Sequence, residues 1–129
     1  MKSKKRPNNE QLQRLQTRVY DAAPDSIFFF SAEDLNILSA NHSAIKALGY
    51  TKEELLRMSI LDLYPQEEHR YVHEALSRLH KTGSFQGERI VHHKRKDGTL
   101  IPVQPNGALL KVDDQEFVLC FCLILTFTV

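Results

Sequence analysis

The segment of residues 41–65 limits most strongly what this chain can fold into, because helices must start and stop repeatedly within it. Ala44 and Leu48 lie at helical spacing, and Gly49 follows where that helix would end. Glycine adopts a positive φ without a steric penalty from a Cβ atom, so it is the usual residue at such an end. The pattern predicts a short helix that stops at Gly49.

A second helix is expected to begin almost at once. Thr51 occupies an N-cap position and Glu54 lies three residues later, the spacing of a capping box in which side chains satisfy two backbone N–H groups. Ser59 and Asp62 repeat this spacing before Pro65 stops the segment. The sequence therefore predicts a broken helical connector, and no catalytic motif lies in it.

Strand patterns lie on both sides of this connector. The predicted strands are 26–31, 37–40, 85–96, 100–112 and 116–129, and Asp97-Gly98 marks a hairpin between the third and fourth. One long amphipathic helix over 67–81 precedes the third strand and is ended by Gly83. Pro102 and Pro105 lack backbone donors, so we expect a bulge or bend in the fourth strand.

These features together resemble the PAS domain superfamily. Its ordered pattern is met by Asn41, Ala44, Leu48, Gly49, Tyr50, Thr51, Glu53, Glu54 and Leu55 and by the later Lys96, Asp97 and Gly98. The resemblance runs from about residue 22 to about residue 125. It implies an α+β fold, a five-stranded antiparallel sheet of order 2-1-5-4-3 with helices packed on one face, and a sensory module of a signal-transduction protein. It names no ligand.

Composition fits one globular domain, since 42% of the 129 residues are hydrophobic and 26% are charged. We expect a disordered basic arm over 1–9, a flanking helix over 10–23 and the PAS domain over 24–129. Lys2, Lys4, Lys5 and Arg6 contribute +4 to a net charge of +1, leaving −3 for the rest. A run this short favours a solvated arm over contact with acidic lipid or nucleic acid.

Several classes of protein are disfavoured by what the sequence lacks. No signal-peptide pattern follows the basic residues, and the longest apolar run, residues 117–129, is shorter than the ~20 residues of a membrane span. No aromatic residue lies between Gln86 and Phe117 to stack on nucleic acid bases. No hydrolytic or phosphate-binding motif is present. We therefore predict a cytoplasmic protein module without enzymatic activity and without a nucleic acid partner.

The flanking helix carries an apolar seam formed by Leu12, Leu15 and Val19. Two roles stay open for this seam: packing on its own domain, or dimerisation through a helix that continues upstream. The PAS resemblance implies that such a helix commonly does both.

The last predicted strand is apolar on both of its faces. One face carries Val118, Cys120, Cys122 and Ile124, and the other carries Phe117, Leu119, Phe121, Leu123 and Leu125. A strand with water on one side would alternate with polar residues, so the outer face must be covered by the flanking helix, by a second subunit or by both. This pattern predicts a homodimer, and the PAS resemblance implies that it is attached to an output domain of a larger signalling protein, for example in a two-component system.

A small ligand, if one binds, is expected between the long helix and the inner face of the sheet. Its apolar walls would be formed by Leu48, Leu63, Val72, Leu76, Ile90 and Val103. Its polar groups would come from His69, His73 or Asn106. A domain with a filled core that binds no ligand and acts through protein contacts is the alternative.

Histidines and cysteines are the residues of this sequence that could bind a cofactor. Haem-binding PAS domains carry a proximal histidine on the long helix, which implies His73, and then His69, as the axial ligand of a haem gas sensor. A solvent-facing or structural histidine is the simpler interpretation. Flavin photochemistry is disfavoured, because residues 58–63 contain no cysteine.

The two cysteines, Cys120 and Cys122, are expected to be core or interface residues. As next-but-one neighbours in a strand they cannot readily bridge to each other, and a lone C-x-C is a weak metal site. We therefore expect neither a bound cofactor nor a metal. The basic segment 92–96 is interpreted as a solvated sheet edge, although anion binding there is conceivable.

Overall fold

The fold was analysed in a computed structural model, which describes residues 5–125. Its α-helices are α1 (Asn9–Ala22), α2 (His42–Leu48), α3 (Lys52–Leu55) and α4 (His69–Thr82). Its strands are β1 (Ser26–Ser31), β2 (Ile37–Ala40), β3 (Ser84–Gln86), β4 (Val91–Lys94), β5 (Leu100–Val112) and β6 (Gln115–Ile124). Two 3-10 turns, Ile60–Leu63 and Gln66–Glu68, lead from α3 to α4. The basic residues Lys2 and Lys4, and Thr126 to Val129 at the end of the last predicted strand, lie outside the described residues.

The strands form one antiparallel sheet of order β2-β1-β6-β5-β3, in which β4 also pairs with β5. This confirms the predicted fold class and strand order, with one difference: the third predicted strand is two strands. Gly87, in the break between them, donates its N–H to the Pro105 carbonyl at 2.8 Å. A Cβ atom at Gly87 would lie 2.3 Å from that oxygen, so only glycine permits the approach.

The expected bulge at the prolines of β5 is absent. The pairing of β5 with β6 is continuous from Val103 opposite Ile124 to Val112 opposite Gln115. The prediction of a bulge was wrong for Pro105. In an antiparallel strand the C=O and N–H positions of one residue point to the same side, and the Pro105 carbonyl faces β3 and β4. The missing N–H of Pro105 therefore removes no hydrogen bond to β6. The interruption therefore occurs in the partner strand.

The broken connector is built as its capping residues predict. Gly49 ends α2 with φ of 81°, and the Thr51 and Glu54 side chains form the expected capping box at α3. Ser59 and Asp62 form a second capping box at the 3-10 turn Ile60–Leu63. These local signals bring the connector across one face of the sheet, where Leu55, Ile60 and Leu63 enter the core.

One buried side chain, that of Asn41, joins four parts of the chain. Its Oδ1 accepts the N–H groups of Ile27 (2.9 Å) and Ala44 (3.1 Å), while its Nδ2 donates to the carbonyls of Tyr20 (2.8 Å) and Asp25 (3.0 Å). Asn41 thus caps α2 and also binds β1, the last turn of α1 and the loop between them. Its side chain has two donors and two acceptor sites, and all are used.

A second polar side chain lies in the core. The His93 ring is fully buried and stands edge-on to Phe28 and Tyr64, with centroid distances of 5.8 and 4.9 Å. Its Nε2 lies 3.7 Å from Cys122 Sγ, while its Nδ1 has no hydrogen-bond partner among the described residues. Burial lowers the pKa of His93 to about 3, so the ring is neutral at physiological pH.

Within residues 5–125, no helix is both long enough and apolar enough to cross a membrane.

Replacement of Asn41 by alanine should destabilise the domain by about 2–4 kcal/mol, because it leaves buried backbone donors and acceptors without partners. Thr51→Ala is the matched control, since it removes an exposed cap worth about 1 kcal/mol. Urea unfolding followed by circular dichroism measures both free energies. A loss at Asn41 no larger than at Thr51 would contradict the central role assigned to Asn41.

Acidification should destabilise the domain through His93. The unfolded chain takes up a proton on this histidine below about pH 6.5, whereas the folded protein does so only near pH 3. Stability is therefore fully present above pH 6.5 and falls by up to about 1.4 kcal/mol per pH unit as the pH drops from 6.5 towards 3. Unfolding free energies measured across this range check the slope. His93→Phe, which keeps an aromatic ring, should flatten it, and an unchanged slope in that variant would refute the assignment.

Candidate functional site

A small cavity lies between α4 and the inner face of the sheet. It has a volume of about 40 Å³. Its lining residues come from β1, the connector, α4, β3, β4, β5 and β6: Phe30, Ile60, Tyr64, Tyr71, Val72, Ala75, Leu76, Leu79, Phe85, Val91, Pro105, Asn106, Gly107, Val118 and Cys120. The walls are mostly apolar, so the cavity suits a small apolar group.

The cavity is narrow because the helix approaches the sheet closely. At Gly107 a Cβ atom would lie 3.3 Å from Leu79 Cδ1, so the missing side chain provides part of the space. Tyr71 and Phe85 close one side, with their ring centroids 6.2 Å apart. The Arg89 guanidinium lies 4.2 Å from the centroid of the Tyr71 ring, and this cation–π contact stabilises the position of the tyrosine.

The predicted apolar site residues are divided by the structure. Val72 and Leu76 line the cavity. Leu48, Leu63 and Val103 are buried in the core but do not line the cavity.

Ile90 was wrongly expected at the cavity. It is 45% exposed, because it lies in the break between β3 and β4, where its neighbour Val91 takes the inward position.

The polar candidates separate in the same way. Asn106 lines the cavity, whereas a ring nitrogen of His69 lies 3.0 Å from the Tyr64 carbonyl oxygen and His73 is exposed on α4. Neither histidine lines the cavity. A volume of about 40 Å³ holds only a few atoms, so the haem hypothesis gains no support from this geometry. Among residues 5–125, no three His, Cys, Asp or Glu side chains are grouped in a way that could hold a metal ion.

The histidines of β4 differ from the solvated basic edge expected there. The Glu68 carboxylate accepts the His92 backbone N–H at 2.7 Å and lies 2.8 Å from His92 Nδ1. Glu68 is itself buried, so this pair ties the start of α4 to β4. Because His92 is half-buried and His93 is buried, only Lys94, Arg95 and Lys96 of the basic segment are exposed.

A second, much larger depression lies on the opposite side of the sheet. This outer cleft, between α1 and the outer face, has a volume of about 1080 Å³. Its apolar floor is formed by Ile27, Phe29, Leu119 and Phe121, and α1 forms its wall with residues that include Gln13, Gln16 and Thr17. The helix therefore leaves the outer face of the sheet only partly covered.

Contact between α1 and the sheet is confined to the last turn of the helix. The Tyr20 ring lies 5.8 Å from that of Phe29, and its hydroxyl is 2.8 Å from Ser39 Oγ. No residue of α1 is buried. The predicted seam is open to solvent, with exposed fractions of 41% for Leu12, 52% for Leu15 and 61% for Val19.

The outer face of the sheet is only partly covered in the described part of the chain, whereas the two-sided apolar pattern of β6 predicts a face covered by the flanking helix, a second subunit or both. Phe121 and Leu123 of β6 are 38% and 43% exposed, while Val118, Cys120 and Cys122 on the inner face are buried. The exposed apolar side chains of β2 and β5, Leu38 and Leu110, extend this surface. The outer face and the seam of α1 are thus two exposed apolar surfaces, and Val19 of the seam also lines the outer cleft.

Several cavity residues were missed from the sequence: Tyr64, Tyr71, Leu79, Phe85, Gly107 and Cys120. The helical stripe already placed Leu79 on the same face as Val72. The alternation of β6 already placed Cys120 on the same face of the strand as Val118 and Cys122. No pattern indicated Gly107, because its part in the cavity depends on how close α4 comes to β5.

The sequence was compared with known families and proteins. The family model described as "PAS domain" matches residues 24–126. A curated relative, the methyl sulfide methyltransferase-associated sensor of Methanosarcina acetivorans, is 25% identical over 94 residues, which are 71% of this chain and 9% of that protein. The chain thus spans about a tenth of the length of this relative.

Solved structures share the fold. The PAS domain of an HTR-like protein from Haloarcula marismortui superposes with a TM-score of 0.76 at 20% identity, covering 90% of this chain and 93% of that one. A domain of the sensory box sensor histidine kinase/response regulator from Geobacter sulfurreducens gives a TM-score of 0.70 at 20% identity, with 88% and 96% covered. Since the family model covers most of the sequence and the fold agrees, this chain belongs to the PAS domain family.

Proposed function

We propose that this PAS domain is a cytoplasmic sensory and dimerisation module of a larger signalling protein. The observation that carries the proposal is the pair of exposed apolar surfaces, the outer sheet face and the seam of α1. Exposed apolar surfaces that lie side by side mark interaction sites. The occupant we propose is a second copy of the chain, whose α1 and sheet would bring the same surfaces in a two-fold arrangement.

The narrow apolar stripe on α1 supports pairing through the seam. Its Leu12, Leu15 and Val19 side chains form a narrow stripe flanked by Arg14, Arg18 and other polar residues. A narrow stripe of this kind is typical of helices that pair with each other, whereas a helix that packs on its own domain buries a wider face.

A path for a signal runs from the core to α1. The Asn41 side chain holds the Tyr20 carbonyl at the end of α1 and also the N–H of Ile27 in β1. The Tyr20 hydroxyl adds a contact to Ser39 of β2. A shift of β1 or β2 would therefore move the last turn of α1, and with it the helix that the proposed dimer shares.

The inner cavity is the place where a small ligand would act. Its polar groups, at Tyr64, Tyr71, Asn106 and Cys120, are few and lie among apolar walls, which favours a small molecule with little polarity. A ligand there would touch both α4 and the strands that lead to α1. The small volume equally favours the second candidate function, an interaction domain with a filled core.

The comparisons support a place in signal transduction. The curated relative is a sensor, and one structural relative comes from a sensor histidine kinase/response regulator. We propose by analogy that this domain passes its state to an output domain of the two-component type.

The double replacement of Leu15 and Val19 by glutamate should weaken self-association. Like charges would then face each other across the seam, and the dissociation constant of the dimer should rise at least about tenfold, or about 1.4 kcal/mol. Sedimentation velocity over a range of protein concentrations measures the change. Leu56→Glu, at another exposed apolar position, is the control and should leave the dimer intact. A wild-type protein that stays monomeric at every concentration would contradict the proposed dimer.

Shortening Leu76 tests whether the inner cavity can accept a ligand. Leu76→Ala should lower the free energy of unfolding by about 1–3 kcal/mol, because it enlarges the cavity. Benzene should then raise the melting temperature of Leu76→Ala more than that of the wild type. Leu56→Ala, at an exposed site, should show neither effect. If benzene leaves the melting temperature of Leu76→Ala unchanged, the filled-core candidate is favoured over the ligand-binding one.

A further inference from the structure

The two cysteines of β6 lie in contact on the inner face of the sheet. Cys120 Sγ and Cys122 Sγ are 3.5 Å apart, and both are free thiols. The proposed sensory function gives neither thiol a role. Two thiols this close inside a core have a chemistry that single buried cysteines lack, since either one can attack the other after oxidation.

The two thiols differ in access. Cys120 lines the inner cavity and keeps 7% exposure, whereas Cys122 is fully buried. Cys120 pairs across the sheet with Gly107 and Phe28, while Cys122 pairs with Pro105 and Ser26. A small oxidant that enters the cavity would therefore reach Cys120 first.

A neutral base stands next to the second thiol. His93 Nε2 lies 3.7 Å from Cys122 Sγ, and burial keeps the ring uncharged because the pKa of His93 is lowered to about 3. The contact with Cys120 and burial both raise the pKa of Cys122, so this thiol keeps its proton at neutral pH and needs an acceptor in order to react. The neutral imidazole can accept a hydrogen bond from this S–H group and so orient Cys122 towards Cys120.

We propose that Cys120 and Cys122 form a dithiol switch that responds to hydrogen peroxide or a small alkyl hydroperoxide. The sulfur of Cys120 attacks one peroxide oxygen, an S–O bond forms, the O–O bond breaks, and water (or the alcohol) leaves. The sulfur of Cys122 then attacks the Cys120 sulfenic acid, an S–S bond forms, and the S–O bond breaks. The proton of Cys122 goes to the departing hydroxide, which leaves as water. Both sulfurs are oxidised, and the peroxide is reduced to two molecules of water, or to water and an alcohol.

The disulfide would be strained, which suits a reversible switch. Alternate Cα atoms of an extended strand lie about 6.6–6.8 Å apart, at the upper end of the range that disulfides span. The strand must contract locally to form the bond. Strained disulfides are readily reduced, so the oxidised state would be reset by cellular thiols.

The residue between the two cysteines gives the switch an output. Phe121 points to the outer face and lines the outer cleft beside α1. A contraction between Cys120 and Cys122 must move Phe121, because all three lie on one short piece of β6. Chemistry inside the cavity would in this way change the surface that we propose for dimerisation.

The test uses the intact wild-type protein and equimolar hydrogen peroxide. The expected product is a polypeptide chain that has lost two hydrogen atoms, that no longer reacts with N-ethylmaleimide after unfolding in urea, and that gives a peptide linked between Cys120 and Cys122 in tandem mass spectrometry. Reduced glutathione should restore both thiols. The proposal is overturned if both thiols stay reactive towards N-ethylmaleimide while Met58 becomes oxidised. It is equally overturned if urea-unfolded protein forms the bond as fast as folded protein.

Single replacements assign the order of the steps. Cys122→Ala should stop at the sulfenic acid, which dimedone traps on Cys120, while Cys120→Ala should give at least tenfold less dimedone adduct. His93→Phe should accumulate the Cys120 adduct because the second step slows, and circular dichroism verifies that each variant is folded. Equal trapping on both cysteines would refute the assigned order, and the wild-type measurement does not depend on any variant. Because the readout is mass and not subunit number, failure of the switch and failure of the dimer are told apart.

Discussion

The side chain of Asn41 is the constraint on which much of the structure depends. A primary amide has two donors and two acceptor sites, and here all of them bind backbone groups, from the end of α1, the following loop, β1 and α2. Without Asn41 these backbone groups would be buried without hydrogen-bond partners. The free energy lost by leaving a buried polar group unpaired is larger than the net stabilisation that one hydrogen bond contributes. One residue therefore fixes where the flanking helix leaves the domain and where the helical connector begins. The apolar core then packs against elements whose relative orientation these hydrogen bonds fix.

The two faces of the sheet have different surroundings, although β6 lies in the centre of the sheet and is apolar on both sides. Its inner face carries Val118, Cys120 and Cys122, which pack under α4 and the connector. Its outer face carries Phe121 and Leu123, which the described part of the chain covers only in part. Since neighbouring residues of a strand point to opposite faces, any change in backbone position on one face is felt on the other. The fold thus links a small internal cavity to an external apolar surface through a single strand, and it does so without a moving domain.

Local patterns predicted most of the fold, because caps, glycines and alternation act within a few residues. Thr51 with Glu54, Gly49 and Gly83 ended or began helices where expected, and the strand order followed from the family pattern. The errors arose where distant segments meet. Ile90 and the supposed bulge at Pro105 both depended on how Gly87 crosses β5, and that contact joins residues far apart in the chain. The cavity was predicted only in part for the same reason: the stripe of α4 indicated Val72 and Leu76, while Gly107 and Phe85 entered from strands whose distance to the helix no local pattern reports.

By itself the sequence determined the type of most elements, the apolar seam of α1 and the two apolar faces of β6, since each of these follows from residue spacing along one element. Only the tertiary structure decided that His93 is buried against Cys122, that Glu68 holds His92, and that the seam of α1 stays exposed. Burial and pairing are properties of packed surfaces. The same histidine can be a solvated edge residue or a neutral core residue, and what separates the two is the arrangement of neighbours that the chain brings to it on folding.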